Sequence, residues 1–286
     1  MKIARFWEKG RVEAHATAGN KFPVVAWGWS ENSREEAKQR AREAATRAAR
    51  WLESNWPKRE RGQYYAQERP PREEIVREIT VSSGDVVATI TRNAYGSLVL
   101  NTAHLMFIDV DVPPDPVSSR LAKNVLGWLG RPTETAESRV QKHIEQTATE
   151  YSQHTIRLYR TAAGFRCVVT DRPIVANSEE SRRLFEAFGT DPLYAQICRV
   201  QECYRARLTP KFWRCRAQRP PHRFPWVNAN EEQEQRRWEE EYSRRSQEFA
   251  TCRFVTQFGN RTDAELRSLI ELHDAHVGAQ SELPLA

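Results

Sequence analysis

A chain of 286 residues, 39% of them hydrophobic and with a formal net charge of +6, is long enough for one large or two modest domains with buried cores, which excludes a peptide-sized adaptor. The opening residues MKIARFWEKGRVEAHA hold no apolar leader core, and no later stretch approaches the roughly 18 consecutive apolar residues of a spanning helix, so the sequence predicts a soluble cytoplasmic protein with no membrane partner. The basic excess would suit a polyanionic partner, while five cysteines without a CxxC pair argue against a disulfide framework or zinc ribbon and for buried thiols in a reducing compartment.

The first apolar run, PVVAWGWS, predicts a strand that ends in a turn at Gly28. A helix follows to Leu52, opened by a capping box of Ser33 and Glu36 and carrying a small-residue stripe of Ala37, Ala41, Ala44, Ala45 and Ala48 that can pack closely on a sheet. Residues 56–72 are polar and proline-rich and predict a linker, which gives an N-terminal strand-helix region over 1–70. A core over 71–225 then begins with strands at 86–91, 98–100 and 105–112, the last of them, LMFIDVDV, reading as a central strand buried on both faces.

A helix near 134–151 leads to a hairpin of 155–160 and 165–170 that turns through Ala163-Gly164. A short helix at 178–188 ends at Gly189, another starts near Asp191, and a charged helix covers 231–249. Residues 226–286 are expected to form a C-terminal helical region, whose last helix opens on a capping box of Thr262 and Glu265. The fold class that follows is α+β, with a mixed or antiparallel central sheet and flanking helices.

Asp109 and Asp111 stand at i and i+2 on one strand, so both carboxylates share a face about 7 Å apart. Gathering two like charges is costly, and Mg²⁺ or Mn²⁺ would relieve the cost through oxygen ligands, as would basic partners. Pro113-Pro114 ends the strand at once and places the pair at the sheet rim.

The segment QECYRARLTPKFWRC supplies Arg205, Arg207, Lys211 and Arg214 as candidate phosphate or nucleic-acid ligands, interleaved with Tyr204, Phe212 and Trp213, which could stack bases. On a strand Arg205 and Arg207 would share a face, and Pro210 would turn the chain to present Lys211 and Arg214. Glu271, His273, Asp274 and His276 place possible ligands on the last helix, but without zinc-protease spacing they read as an ordinary surface helix.

The order of an FIDVDV strand, helices and the hairpin YRTAAGFRCVVT resembles the catalytic core of the archaeo-eukaryotic primase superfamily, which includes primase-polymerases, over roughly 86–214. The resemblance implies a primase-polymerase-like core in which Asp109 and Asp111 bind metal and the hairpin contacts nucleotide phosphates. The hairpin's histidine position falls on Arg166 or Cys167, so Arg166 becomes the catalytic phosphate contact, and Asp171 and Asp191 are positional candidates for a third acid.

Three functions remain open at this point. The first is a metal-dependent nucleotidyltransferase or primase-polymerase-like protein acting on nucleotide triphosphates or nucleic acid. The second is a non-catalytic nucleic-acid-binding protein on the same scaffold, with the aspartates paired to arginine. The third is a nucleotide-sugar transferase, which also uses a DxD pair to hold a metal-bound diphosphate.

Overall fold

The computed structural model describes residues 1–15, 20–55, 70–81, 83–114 and 135–286. Among these, ten strands and six helices form an α+β fold with three antiparallel sheets. No helix of the described residues is long and apolar enough to cross a membrane. All five cysteines are free and buried.

The N-terminal unit is a two-stranded ribbon of β1 (Phe6–His15) and β2 (Lys21–Ser30) with α1 (Arg34–Asn55) laid on one face. Gly28 does not end the strand. A Cβ on it would fall 2.1 Å from the backbone nitrogen of Ala41, and one on Gly10 would fall 2.3 Å from the Ala41 carbonyl, so the two glycines let the helix backbone approach the ribbon. The alanine stripe is buried in that contact. Ser33 accepts from the Glu36 amide at 3.1 Å as the capping box requires, but the Glu36 carboxylate turns to Ser30 and Asn32 instead of closing the box.

One four-stranded sheet runs in the order β3 (Glu74–Thr80), β4 (Val86–Arg92), β5 (Leu98–Thr102), β9 (Tyr204–Arg207). The other runs β10 (Cys252–Phe258), β7 (Ile156–Thr161), β8 (Gly164–Val169), β6 (Phe107–Asp111). The predicted hairpin is therefore in the same sheet as the aspartate strand, its immediate neighbour. Gly164 makes that neighbour possible, since a Cβ there would lie 2.1 Å from the Val110 carbonyl oxygen.

β6 is an edge strand by hydrogen bonding, a correction to the central strand expected from its apolar run. Phe107, Ile108 and Val110 are still buried, while Asp109 is half-buried and Asp111 is exposed. Tyr194, on α4 (Pro192–Gln201), places its hydroxyl 3.0 Å from the Phe107 carbonyl on β6 and 2.9 Å from the Arg205 carbonyl on β9. The Asp191 amide at the start of that helix donates to the Asp109 carbonyl at 3.2 Å. Helix α4 thus satisfies the open edge of β6 and ties the two sheets together.

The remaining helices are α2 (Ala136–Glu150), α3 (Glu179–Ala187), α5 (Ala229–Ser246) and α6 (Ala264–Val277). The 226–286 segment is not a separate helical region: β10 pairs with β7, and Leu266, Leu269, Ile270 and Val277 of α6 join the main core. The cap of α6 is Asp263, not Thr262; its carboxylate accepts from the Glu265 amide at 2.8 Å. Most of the expected 56–72 linker, residues 56–69, lies outside the described residues.

Candidate functional site

The register of β6 against β8 sets Asp109 opposite Arg166 and Asp111 opposite Gly164. Arg166 is 3% exposed, and its Nε and Nη2 donate to the two Asp109 carboxylate oxygens at 2.8 and 3.2 Å. Its Nη1 lies 3.1 Å from the Arg207 carbonyl, 3.5 Å from Cys252 Sγ and 3.4 Å from His273 Nε2. Burial depresses Arg166, but Asp109, with Cys252 adding to it, outweighs burial and raises the guanidinium above its usual range.

His273 is buried against this arginine. Nδ1 lies 3.0 Å from Asp274 Oδ1, and Asp274 also accepts from the Tyr159 hydroxyl at 2.8 Å and pairs with Arg157 at 2.9 Å. Burial first, with Arg166 adding to it, pushes His273 down to about 4, while Asp274 pulls the other way. A neutral ring that accepts from Arg166 and donates to Asp274 satisfies both neighbours. The sequence pointed to His273 and Asp274 only as weak ligands on a surface helix; α6 instead buries His273 on the Asp109 face, and nothing local in the sequence reveals that.

Asp111 is at the exposed rim. Its carboxyl is held above the usual range, by burial first and then by Asp191 and Asp109, with Lys211 and Arg207 partly offsetting them. Asp191 therefore belongs to this neighbourhood, although its side chain also caps α4 by accepting from the Leu193 amide at 3.1 Å. Asp171 does not belong there. It follows the far end of β8 from Gly164 and binds the Thr155 amide at 2.9 Å and His154 at 3.4 Å.

The arginines of β9 part company. Arg205 is 8% exposed and engaged with Asn101 at 2.8 Å, Gln201 at 2.6 Å and Glu73 at 2.6 Å, so its guanidinium is an interior strut and not a phosphate ligand as the sequence suggested. Burial depresses Arg205, but Glu73 overcomes that effect and keeps it charged. Tyr204 is likewise in the core.

Arg207, Lys211 and Arg214 are different. No carboxylate of the described residues lies within salt-bridge distance of any of them, yet they sit close enough to repel one another. Burial and then Arg207 and Arg214 depress Lys211; burial depresses Arg207 also, with Arg166 and Arg214 adding to it and Asp109 opposing. The segment that carries them is fixed from below. Ser97 donates to the Pro210 carbonyl at 2.8 Å, and Tyr242 reaches the same carbonyl at 2.5 Å.

Beside these cations, Tyr95 and Trp213 are 45% and 49% exposed and meet edge to face at 5.2 Å, with the Lys211 ammonium 5.8 and 5.3 Å from their ring centres. Phe212 packs edge to face on Trp213 at 4.9 Å. The sequence reading found Phe212 and Trp213 but missed Tyr95, which arrives from the β4–β5 turn.

Of the pair expected to hold Mg²⁺ or Mn²⁺, Asp109 is engaged by Arg166 in this structure. Both oxygens of Asp109 already accept from Arg166, and among the described residues no three His, Cys, Asp or Glu side chains gather as metal ligands would. The arrangement offers instead a rim of free positive charge flanked by exposed aromatic rings. Comparison with known proteins finds no match: no family model, no curated protein and no solved structure resembles the chain closely enough to assign it.

Proposed function

We propose that this α+β protein binds the phosphates of nucleic acid or of a nucleotide at the basic rim formed by Arg207, Lys211 and Arg214, on a primase-like scaffold whose first motif aspartate serves as counter-ion to Arg166. The observation that carries this reading is the cluster itself. Three cations crowded together, with no salt bridge among the described residues and only the longer-range attraction of Asp109 and Asp111, favour an arriving anion, and phosphate oxygens match both guanidinium and ammonium donors. Asp109 contributes no metal chemistry here. It holds Arg166, whose Nη1 donates to the Arg207 carbonyl and so fixes the end of the strand that carries Arg207, with Lys211 and Arg214 on the segment that follows.

The test is an anisotropy titration of a labelled single strand at two salt concentrations. Replacing Arg207, Lys211 and Arg214 by Ala should weaken binding at least tenfold and lower the salt slope by about 2, since each contact to a single strand contributes about 0.7. Replacing Arg40, Arg47 and Arg50 of α1 should change little; equal losses from both sets would mean diffuse attraction and would reject the rim.

A second reading, metal-dependent nucleotidyl transfer, retains one specific support. The raised carboxyl of Asp111, close to Asp191, would be relieved by a cation without disturbing Asp109.

A further inference from the structure

Between α3 and α4 lies a cavity of about 300 Å³ open to solvent, lined by none of the residues of the basic rim. Its apolar wall is formed by Phe185 of α3 with Pro192 and Ala195 of α4. Phe185 stands edge-on to Tyr194 and Tyr204, with ring centres 5.9 and 6.0 Å away, so the wall is held by the core beneath it. The mouth is polar: Arg182 of α3 and, on α4, Gln196 and Arg199, the last anchored on the Gln196 side chain.

Helical spacing explains why these residues meet. Arg182 and Phe185 are three apart on α3, while Pro192, Ala195 or Gln196, and Arg199 recur at three- and four-residue steps on α4. No Asp or Glu lines the cavity, so its lining carries two uncompensated positive charges beside an apolar floor. An apolar pocket with a few converging polar groups is the usual form of a small-ligand site, and this one is at the compact end of the range.

We propose that this cavity binds a compact organic anion, in which a flat apolar ring lies against Phe185 and a single carboxylate or phosphate group is held between Arg182 and Arg199. Each half of that ligand answers one feature. A ring without charge leaves both guanidinium groups unanswered, and inorganic phosphate leaves the apolar wall wet. None of Arg207, Lys211 and Arg214 lines the cavity, so the site stands or falls independently of the basic rim.

The experiment titrates the full chain with indole-3-acetate and with adenosine 5′-monophosphate, using indole and inorganic phosphate as half-ligand controls. Calorimetry gives the affinity, and amide chemical shifts give the place. At least one whole anion should bind about tenfold or more tightly than either half, with shifts at Ala195, Gln196 and Arg182; preference between the two assigns the carboxylate or the phosphate form. Arg182→Glu combined with Arg199→Glu should weaken binding at least about tenfold, and Ala195→Trp should fill the cavity and abolish it. The arginine pair is exposed, so it carries the test alone where the tryptophan variant fails to fold. Binding no tighter than that of the halves, binding that survives the arginine pair, or shifts confined to Lys211 and Arg214 would each overturn the proposal.

Discussion

Arg166 and Asp109 face each other across the β6–β8 register, joined by two hydrogen bonds of 2.8 and 3.2 Å with the arginine almost wholly buried. An arginine so placed has few alternatives to its partner, and the pair is better understood by what its separation would do than by any gain over an apolar pair. Removing Asp109 alone leaves a buried guanidinium, and removing Arg166 alone leaves a carboxylate facing the core.

Arg166→Met should therefore destabilise the protein by about 3 kcal/mol. The double variant Arg166→Met with Asp109→Leu should lose clearly less than the sum of the two single losses. Urea unfolding of the four proteins measures the coupling. Simple additivity would show that the two side chains act apart.

The cation reading of Asp111 makes an independent prediction. If Asp111 and Asp191 admit Mn²⁺, the melting temperature should rise with the metal, and Asp111→Asn should abolish the rise while Asp109→Asn retains part of it. The same rise in wild type and in Asp111→Asn would remove this second reading. No rise in any of the proteins would leave phosphate binding as the sole role of the rim.

His273 gives the protein a specific acid sensitivity. Its folded-state value, about 4, lies below the ordinary histidine value, so the unfolded chain takes up a proton more readily than the folded one between about pH 6.5 and 4. Stability is then fully present above pH 6.5 and falls as pH drops toward 4, by an amount on the order of 3 kcal/mol. The groups facing the ring are Arg166 and Asp109 from the sheet, Asp274 from its own helix, and the Tyr159 and Phe107 rings beside it. His273→Gln should flatten the stability profile across that window, even if it lowers stability at pH 7. An unchanged slope would place the acid sensitivity elsewhere.

Tyr194→Phe should keep the ring packing and remove the hydroxyl that bridges β6 and β9. The expected loss is about 1 to 2 kcal/mol, from carbonyls left without their donor. Hydrogen exchange should quicken at the Arg205 amide, which lies 3.3 Å from that hydroxyl, more than in β3 or β4. Uniform quickening over both sheets would mean a global loss rather than an opened seam.

Much of the fold was legible in local sequence. Strands β4 to β6, the hairpin through Gly164 and the helix from Ser178 to Gly189 follow from periodicity and turn chemistry, which act within a few residues. The alanine stripe predicted close packing, and Gly10 and Gly28 show how it was achieved. β1, β3 and β10 were missed, since charged residues interrupt their apolar pattern and only pairing with β2, β4 and β7 makes them strands.

The site was legible in part, and the division has a physical cause. Sequence alone determined that Asp109 and Asp111 share a strand face at a rim, and that a basic segment with aromatic rings follows, because strand alternation and composition require no tertiary information. Which charges would be neutralised was decided only by the fold. Arg205 and Arg207 occupy the same strand two residues apart, yet one is hydrogen-bonded to Glu73 from 132 positions away and the other makes no salt bridge among the described residues, feeling Asp109 only at longer range. Charge compensation depends on distances of a few ångströms between segments remote along the chain, so tertiary structure alone could pair Arg166 with Asp109, bury His273 behind them, and gather Arg207, Lys211 and Arg214 without a salt bridge among the described residues.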